Sequence, residues 1–278
     1  MKKILAVSGG IDSVVMLHLY RNDPDVVVAH FNHNIRPNSS EDQSFVAKLA
    51  QKYGKDFVTE DANLRVNASE ADARAARYAF LDSVCFRYHG KIHVAHHKDD
   101  VYESIAINIL RGTGWRGLAP LQNPQIVRPL LSWSKRDIYF YASKNNLSFR
   151  QDQTNTEDAY LRNRIRMRMR FATNSQKDQL YQLYRRQCEI SSEVSRLFNQ
   201  IEIGEGRYYP RSLFQGLDDQ LALELLREIL QRNSLSQTRP QLLRAVDAIR
   251  NYLPEKQFPL GANALIRITK NNFIIKHN

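Results

Sequence analysis

Six residues near the start of the chain, Ser8-Gly9-Gly10-Ile11-Asp12-Ser13, constrain what it can fold into more than any other stretch. They follow the apolar run Ile4 to Val7, which reads as a strand buried in a parallel sheet. They precede Val14-Val15-Met16-Leu17-His18-Leu19, which reads as the opening of a helix. Two glycines between strand and helix permit a tight turn and close approach of a ligand to the backbone. A helix N-terminus carries unpaired N–H groups and a partial positive charge, so the turn suits an anion, and Ser8 and Ser13 add hydroxyl donors. Asp12 would repel a bare phosphate; a metal ion on the phosphates, or a part in shaping the turn, explains its place. The pattern is neither G-x-x-x-x-G-K-[ST] nor G-x-G-x-x-G. The glycines alone suit an ordinary α/β turn equally well, whereas the whole hexapeptide at the end of a first strand is far more specific.

The first half of the chain alternates strand and helix. Strands are expected at Val26–Phe31, Asp56–Thr59 and Lys91–Ala95, and helices from Ser40 to Gly54, from Ser69 to about Arg87 and from Asp99 to Leu110. Such alternation predicts a Rossmann-like, doubly wound parallel sheet with helices on both faces. Ligands of these sheets bind beyond the carboxyl ends of the strands. That rule brings three distant stretches to one edge: Ser8 to Ser13, His30 to Arg36, and His96 to Glu103.

Past residue 110 the character changes. Arg111-Gly112-Thr113-Gly114-Trp115-Arg116-Gly117 reads as a basic, glycine-rich loop, Ile126–Leu131 as a strand and Ser134–Asn145 as a capped helix. A further helix carries Arg162, Arg164, Arg166, Arg168 and Arg170. Arginines at every second residue spread around a helix and present charge on several sides. A long helix is expected from Gln176 to Ile201, and Gly204-Glu205-Gly206 marks a boundary. The expected domains are therefore 1–204, with the long helix, and 205–278, a small, mainly helical domain. In the second domain, helices are expected near 218–232 and 239–251 and a hairpin near 264–276.

In His96-His97-Lys98-Asp99-Asp100, with Glu103 one turn on, carboxylates and imidazoles open a helix where they could hold Mg²⁺ or orient a nucleophile. Acidic residues also suit a helix N-terminus for dipole and capping reasons alone, most plainly Asp99. Adjacent histidine side chains diverge, so His96-His97 does not read as a zinc site. Arg74 and Arg77, three apart on one helix, could clamp phosphate.

Composition narrows the partner. Lysine and arginine exceed the acidic residues to give a formal charge of +11, which points to a polyanion, nucleic acid first. The two cysteines, Cys85 and Cys188, form no CxxC and predict no disulfide framework. The apolar run after Lys2-Lys3 ends at Ser8, too short for a signal peptide, and no stretch is long enough to span a bilayer, so a cytoplasmic protein with no membrane partner is expected.

Taken together the motifs resemble a known family. The hexapeptide is similar to the signature of the PP-loop ATP pyrophosphatases. Within that group the chain resembles the tRNA(Ile)-lysidine synthetases through His33-Asn34-Ile35-Arg36, Ala73 to Tyr78, His96 to Asp100 with Glu103, Leu110 to Gly114 with Gly117-Leu118, Arg128-Pro129-Leu130, Asp152 with Thr154-Asn155, and Arg162 to Arg166. These run in the family's order over residues 4–170. Val101 and Ser104 depart from it, where Gln and Thr are usual, and no room remains for the further β-rich domain of longer members.

The resemblance implies a ligase that cleaves ATP to AMP and pyrophosphate, with Mg²⁺, and joins free L-lysine to carbon 2 of the wobble cytidine of a tRNA(Ile) with a CAU anticodon. It implies ATP binding by Ser8, Gly9, Gly10, Ile11, Asp12, Ser13 and His30, and catalysis by Asp12, Asp100 and Arg74, the two aspartates also serving the metal. His33, Arg36, Arg111, Gly112, Thr113 and Gly114 would shape the base and lysine pocket, and Arg162, Arg164 and Arg166 would hold tRNA, as would the 205–278 domain. A homodimer is among the assemblies left open. The rival readings are another PP-loop activity, such as tRNA thiolation, for which paired cysteines are missing, and a non-catalytic RNA-binding protein.

Overall fold

The protein is described from a computed structural model, over residues 1–32, 39–62, 70–150, 158–169, 171–200, 208–233, 235, 237–261 and 264–277. In chain order it runs β1 (Lys2–Ala6), α1 (Ile11–Leu19), β2 (Val26–Asn32), α2 (Ser39–Lys52), β3 (Asp56–Asp61), α3 (Glu70–Tyr88), β4 (Gly90–His93) and α4 (Lys98–Leu110). A short 3-10 turn (Trp115–Leu118) leads to β5 (Ile126–Val127), α5 (Lys135–Lys144), α6 (Asp158–Met169) and α7 (Asn174–Gln200). Then follow β6 (Tyr208–Pro210), α8 (Ser212–Gln215), α9 (Asp219–Arg232), α10 (Arg239–Asn251), β7 (Gln257–Pro259), β8 (Ala264–Ile268) and β9 (Asn272–His277).

Two compact units result, Met1–Cys188 and Glu189–Asn278. The expected boundary at 204/205 assigned the whole long helix to the first unit. The observed division falls inside α7, because Tyr184 packs with Val101 and Ile105 of α4 while Val194 and Phe198 pack with the core of the second unit.

The first unit is the expected doubly wound parallel sheet, in the order β3-β2-β1-β4-β5, with every pairing parallel. β1 lies at its centre, and Ile4 and Leu5 are fully buried on opposite faces. Leu5 packs with Val15, Val28 and Ile138 under α1 and α5, and Ile4 with Val27, Phe80 and Val84 under α3. Each such side chain contributes ~1.5–3 kcal/mol by leaving water. β4 can enter beside β1 because Gly90 has no side chain: a Cβ there would lie 2.7 Å from the Lys2 carbonyl oxygen. β2 leaves β1 on one side and β4 lies on the other, so the carboxyl ends of β1 and β4 form a switch point, where a crevice opens.

β5 is shorter than the strand expected at 126–131. Arg128 folds back to donate from Nη1 to the Ile126 carbonyl at 2.9 Å, and Pro129 has no N–H for the ladder.

The second unit packs α9 and α10 on an antiparallel sheet, order β6-β9-β8-β7. Both helices and the β8–β9 hairpin occur as expected. Two three-residue edge strands, β6 and β7, escaped the sequence reading because they are too short to show alternation. Buried Arg211 donates to the Ile249, Arg250 and Tyr252 carbonyls and so satisfies the end of α10. No helix among the described residues is long and apolar enough to cross a membrane.

Candidate functional site

At the switch point lies a cavity of about 260 Å³. Its polar lining comes from Ser8, Gly10, Asp12, Ser13, Arg77, His96 and Asp100, and its apolar wall from Ala29, Phe31, Leu81, Val94 and Ala95. An apolar wall facing N–H groups and charges suits a ligand with one flat apolar part and one anionic part.

The turn after β1 takes its shape from its own residues. Gly9 adopts φ +90°, a left-handed conformation that favours glycine, and a Cβ there would press on Phe45 and Val46 at 3.4 Å. Arg150 donates its backbone N–H to the Gly9 carbonyl at 2.9 Å. Ser13 Oγ donates to the Gly10 carbonyl at 2.8 Å and accepts from the Ser8 N–H at 3.2 Å. Gly10 is the N-cap of α1, and no side chain caps the helix, so its first turn presents backbone N–H groups to the cavity edge.

The carboxylates converge on one imidazole. Asp12 Oδ1 and Asp100 Oδ2 each lie 3.7 Å from His97 Nε2. His97 Nδ1 accepts from the Asp99 N–H at 3.3 Å, which places the proton of the neutral ring on Nε2, facing both carboxylates. Asp100 Oδ2 accepts the His97 backbone N–H at 2.8 Å, closing a capping box at the start of α4. Lys135, at the first position of α5, donates to both oxygens of Asp12 at 2.6 and 2.9 Å.

His96 accepts at Nδ1 from Arg128 Nε at 3.3 Å. Burial first, and then the Arg128, Arg74 and Arg77 charges against Asp100, take its pKa down to about 4, so it faces the cavity as a neutral ring. Burial also lowers the pKa of Arg128. Glu103, 2% exposed, receives a bidentate pair from Arg166 of α6 at 2.6 and 3.1 Å, and this bond is the main reason the Arg166 pKa is raised.

The structure therefore brings Ser8, Gly10, Asp12, Ser13 and Asp100 to one cavity. Ile11 instead points into the core, and His30 is buried behind the turn, with Nδ1 bonded to the Val7 carbonyl at 2.8 Å. Burial lowers the His30 pKa. Arg74 is exposed, and it is Arg77 that lines the cavity; both guanidinium groups lie over the Tyr78 ring, at 5.1 and 5.4 Å. Arg111, Gly112, Thr113 and Gly114 form an exposed loop outside the cavity lining. Arg164 is exposed on α6. His33, Arg36 and the side chain of Arg162 lie outside the described residues, as do Asp152, Thr154 and Asn155.

Sequence reasoning missed Lys135 and Arg150, and it named Arg128 in a family motif without its bond to His96. For Lys135 a signal existed, since a cation in the first turn of a helix opposes the helix dipole and needs an anionic partner.

A family model of the PP-loop domain matches residues 1–171. The tRNA(Ile)-lysidine synthase of Geobacter sulfurreducens is 40% identical over 179 residues, which are 59% of this chain and 38% of that protein. The enzyme of the same name from Caldanaerobacter subterraneus subsp. tengcongensis is 38% identical over 183 residues, 60% of this chain and 39% of that protein. The chain thus spans about two-fifths of the length of these curated relatives. Among solved structures, the U34-tRNA thiolase NcsA from Methanococcus maripaludis overlays with a TM-score of 0.58 at 19% identity, covering 68% of this chain and 72% of that one, which is a likeness of fold.

Proposed function

Starting from a chain that belongs to the PP-loop domain family, a membership that implies use of ATP, we propose that it joins L-lysine to carbon 2 of the wobble cytidine of a tRNA(Ile) with a CAU anticodon. The observation that carries this reading is the cavity at the β1/β4 switch point, where an uncapped helix start meets Asp12 and Asp100 around His97 Nε2. The 40% identity to a lysidine synthase supports this reaction over other ATP-using tRNA chemistries. The +11 charge agrees with a tRNA partner.

The cytosine carbonyl is a poor electrophile. In the proposed reaction its O2 attacks the α-phosphorus of ATP and pyrophosphate leaves. The ε-amine of lysine then attacks C2, AMP departs with the oxygen, and the amine proton passes to a carboxylate. The N–H groups of Gly9, Gly10, Ile11, Asp12 and Ser13, with the Ser8 and Ser13 hydroxyls, receive the phosphates. His30 acts from behind the turn through the Val7 carbonyl. The apolar wall with Phe31 takes the adenine.

Among the described residues no three acidic, histidine or cysteine side chains form a ready-made metal cluster. Two carboxylates at one cavity do fit Mg²⁺, which takes one or two carboxylates and completes its shell with water and phosphate. Asp12 and Asp100 would hold it, and it would supply charge neutralisation on the phosphates. Asp100, freed of that role, is the base candidate for the lysine amine. Arg77 serves the nucleotide, and Arg74 and the 111–114 loop serve the entering anticodon loop, whose unpaired base needs no duplex opening. By their motif His33 and Arg36 are assigned to recognition of the base and lysine, and Arg162, Arg164 and the second unit to binding the tRNA in the cytoplasm.

The test is incubation of the protein with ATP, labelled lysine and total tRNA. Label on the CAU-anticodon isoleucine tRNA is the expected result. Label on no tRNA or on another species overturns the reading, and sulfur incorporation would select the thiolase alternative.

A further inference from the structure

Lys135 and Asp12 stand in a relation that the reaction above does not use. The Lys135 ammonium spans both oxygens of the Asp12 carboxylate at 2.6 and 2.9 Å, and rests 5.6 Å from the centre of the Tyr139 ring one turn along α5. Both side chains are about one-third exposed, at 34% for Lys135 and 31% for Asp12, and Asp12 lines the cavity. Neither is locked in by packing, so the pair can exchange partners. Asp12 sits among the N–H groups expected to receive phosphate, where an uncompensated carboxylate would repel the ligand.

We propose that Lys135 is a positioning residue that changes partner with the state of the site: paired with Asp12 when the cavity is empty, paired with a polyphosphate oxygen when it is filled. This rests on the ATP reading given above. In the empty site the ammonium neutralises Asp12, orients it towards His97 Nε2, and occupies the carboxylate face that a divalent cation would take. The arrangement predicts a competition that the bare ion loses. A polyphosphate offers the ammonium a stronger partner, because it carries several charges against one. Once Lys135 turns to it, both Asp12 oxygens become available, so nucleotide and ion enter together while the ion alone enters poorly.

Ser134 caps α5 and Asp137 completes its capping box, so the backbone under Lys135 is fixed, and the exchange needs only side-chain rotation.

The experiment compares Mn²⁺ alone with Mn²⁺ plus ATP, following ion binding by electron paramagnetic resonance. In Lys135→Met the competitor is gone. Mn²⁺ alone should then bind about fivefold more tightly than to the unaltered protein, whereas Mn²⁺ with ATP should bind about tenfold more weakly. Lys135→Gln, which keeps a polar contact to Asp12 without charge, should show the same opposed changes, and Lys135→Arg should restore both values. Opposed changes are what a merely structural lysine would not give, since damage to the site weakens both. Affinities that move in the same direction, or an unchanged affinity for Mn²⁺ alone, would overturn the inference while leaving the ATP reading in place. Failure of the unaltered protein to bind Mn²⁺ with ATP would overturn both.

Discussion

The backbone N–H of Arg150 donates to the carbonyl of Gly9 at 2.9 Å, while the Arg150 guanidinium reaches Asp42 at 2.8 Å and Glu41 at 2.6 Å. One residue thus holds the glycine turn by its main chain and the start of α2 by its side chain. The turn is not self-supporting, and its peptide orientation depends on a residue far along the chain.

Arg150→Ala keeps the backbone bond to Gly9 but removes the anchor of residue 150 on α2, so that turn should loosen while the unit stays folded. The expected outcome is a KM for ATP raised by ~10-fold or more, as for other misplacements of a binding group. Steady-state pyrophosphate release with tRNA checks it, and an unchanged KM would show that the backbone bond holds the turn without the side-chain anchor.

Asp100→Asn keeps an oxygen that can accept the His97 N–H, so the capping box and the fold survive. It removes the charge. Pyrophosphate release should fall by ~10²–10³-fold, the scale of losing one electrostatic contributor at a reaction centre. The thermal midpoint should stay within a few degrees of the parent's; an active variant would remove Asp100 from the chemistry.

Arg77 lines the cavity and Arg74 does not, although both sit over Tyr78. Arg77→Ala should therefore raise the KM for ATP by ~10-fold, while Arg74→Ala should spare it and act on tRNA. Measuring the two constants separately in each variant distinguishes the roles; the reverse pattern would return the nucleotide role to Arg74.

The Glu103–Arg166 pair joins a buried carboxylate to a half-exposed guanidinium. Arg166→Ala takes a bidentate cation partner from the buried carboxylate and should cost about 1–3 kcal/mol in urea unfolding, less than a fully buried pair would because solvent screens Arg166. Adding Glu103→Gln should recover part of that loss. If the double variant is no more stable than Arg166→Ala, the buried charge of Glu103 is not the cause.

His93 is buried, its Nδ1 has no hydrogen-bond partner among the described residues, and burial takes its pKa down to about 4. Unfolded, the ring takes a proton near pH 6.5; folded, it stays neutral until about 4. Its stabilising effect is complete above 6.5 and is lost as the pH falls from there to 4, by up to ~3 kcal/mol. His93→Leu should flatten that acid branch of stability between pH 7 and 4.5. Parallel pH profiles for parent and variant would show that His93 protonates in the native state.

The sheet and its switch point were legible because apolar runs and glycine turns are local signals. Ser8 to Ser13, with Asp100, could be placed at one strand edge from alternation alone. The partners of Arg128 and Arg150 were not legible, since each lies far along the chain, and the signal at Lys135 asks for an anion without saying that it is Asp12. The choice between Arg74 and Arg77 turned on helix rotation, which spacing of three does not fix. The unit boundary was misplaced because a glycine pair is visible in a sequence, whereas a helix that divides its apolar contacts between two cores is not.

The central place of β1 has a consequence for how the protein is made. β1 is made well before its neighbour β4, which begins only at Gly90, and the turn that follows β1 acquires its last two supports at Lys135 and Arg150. Contacts so remote in sequence close late and slowly. During synthesis one side of β1 and the glycine turn must wait, uncovered or shielded by a chaperone, until Arg150 has emerged.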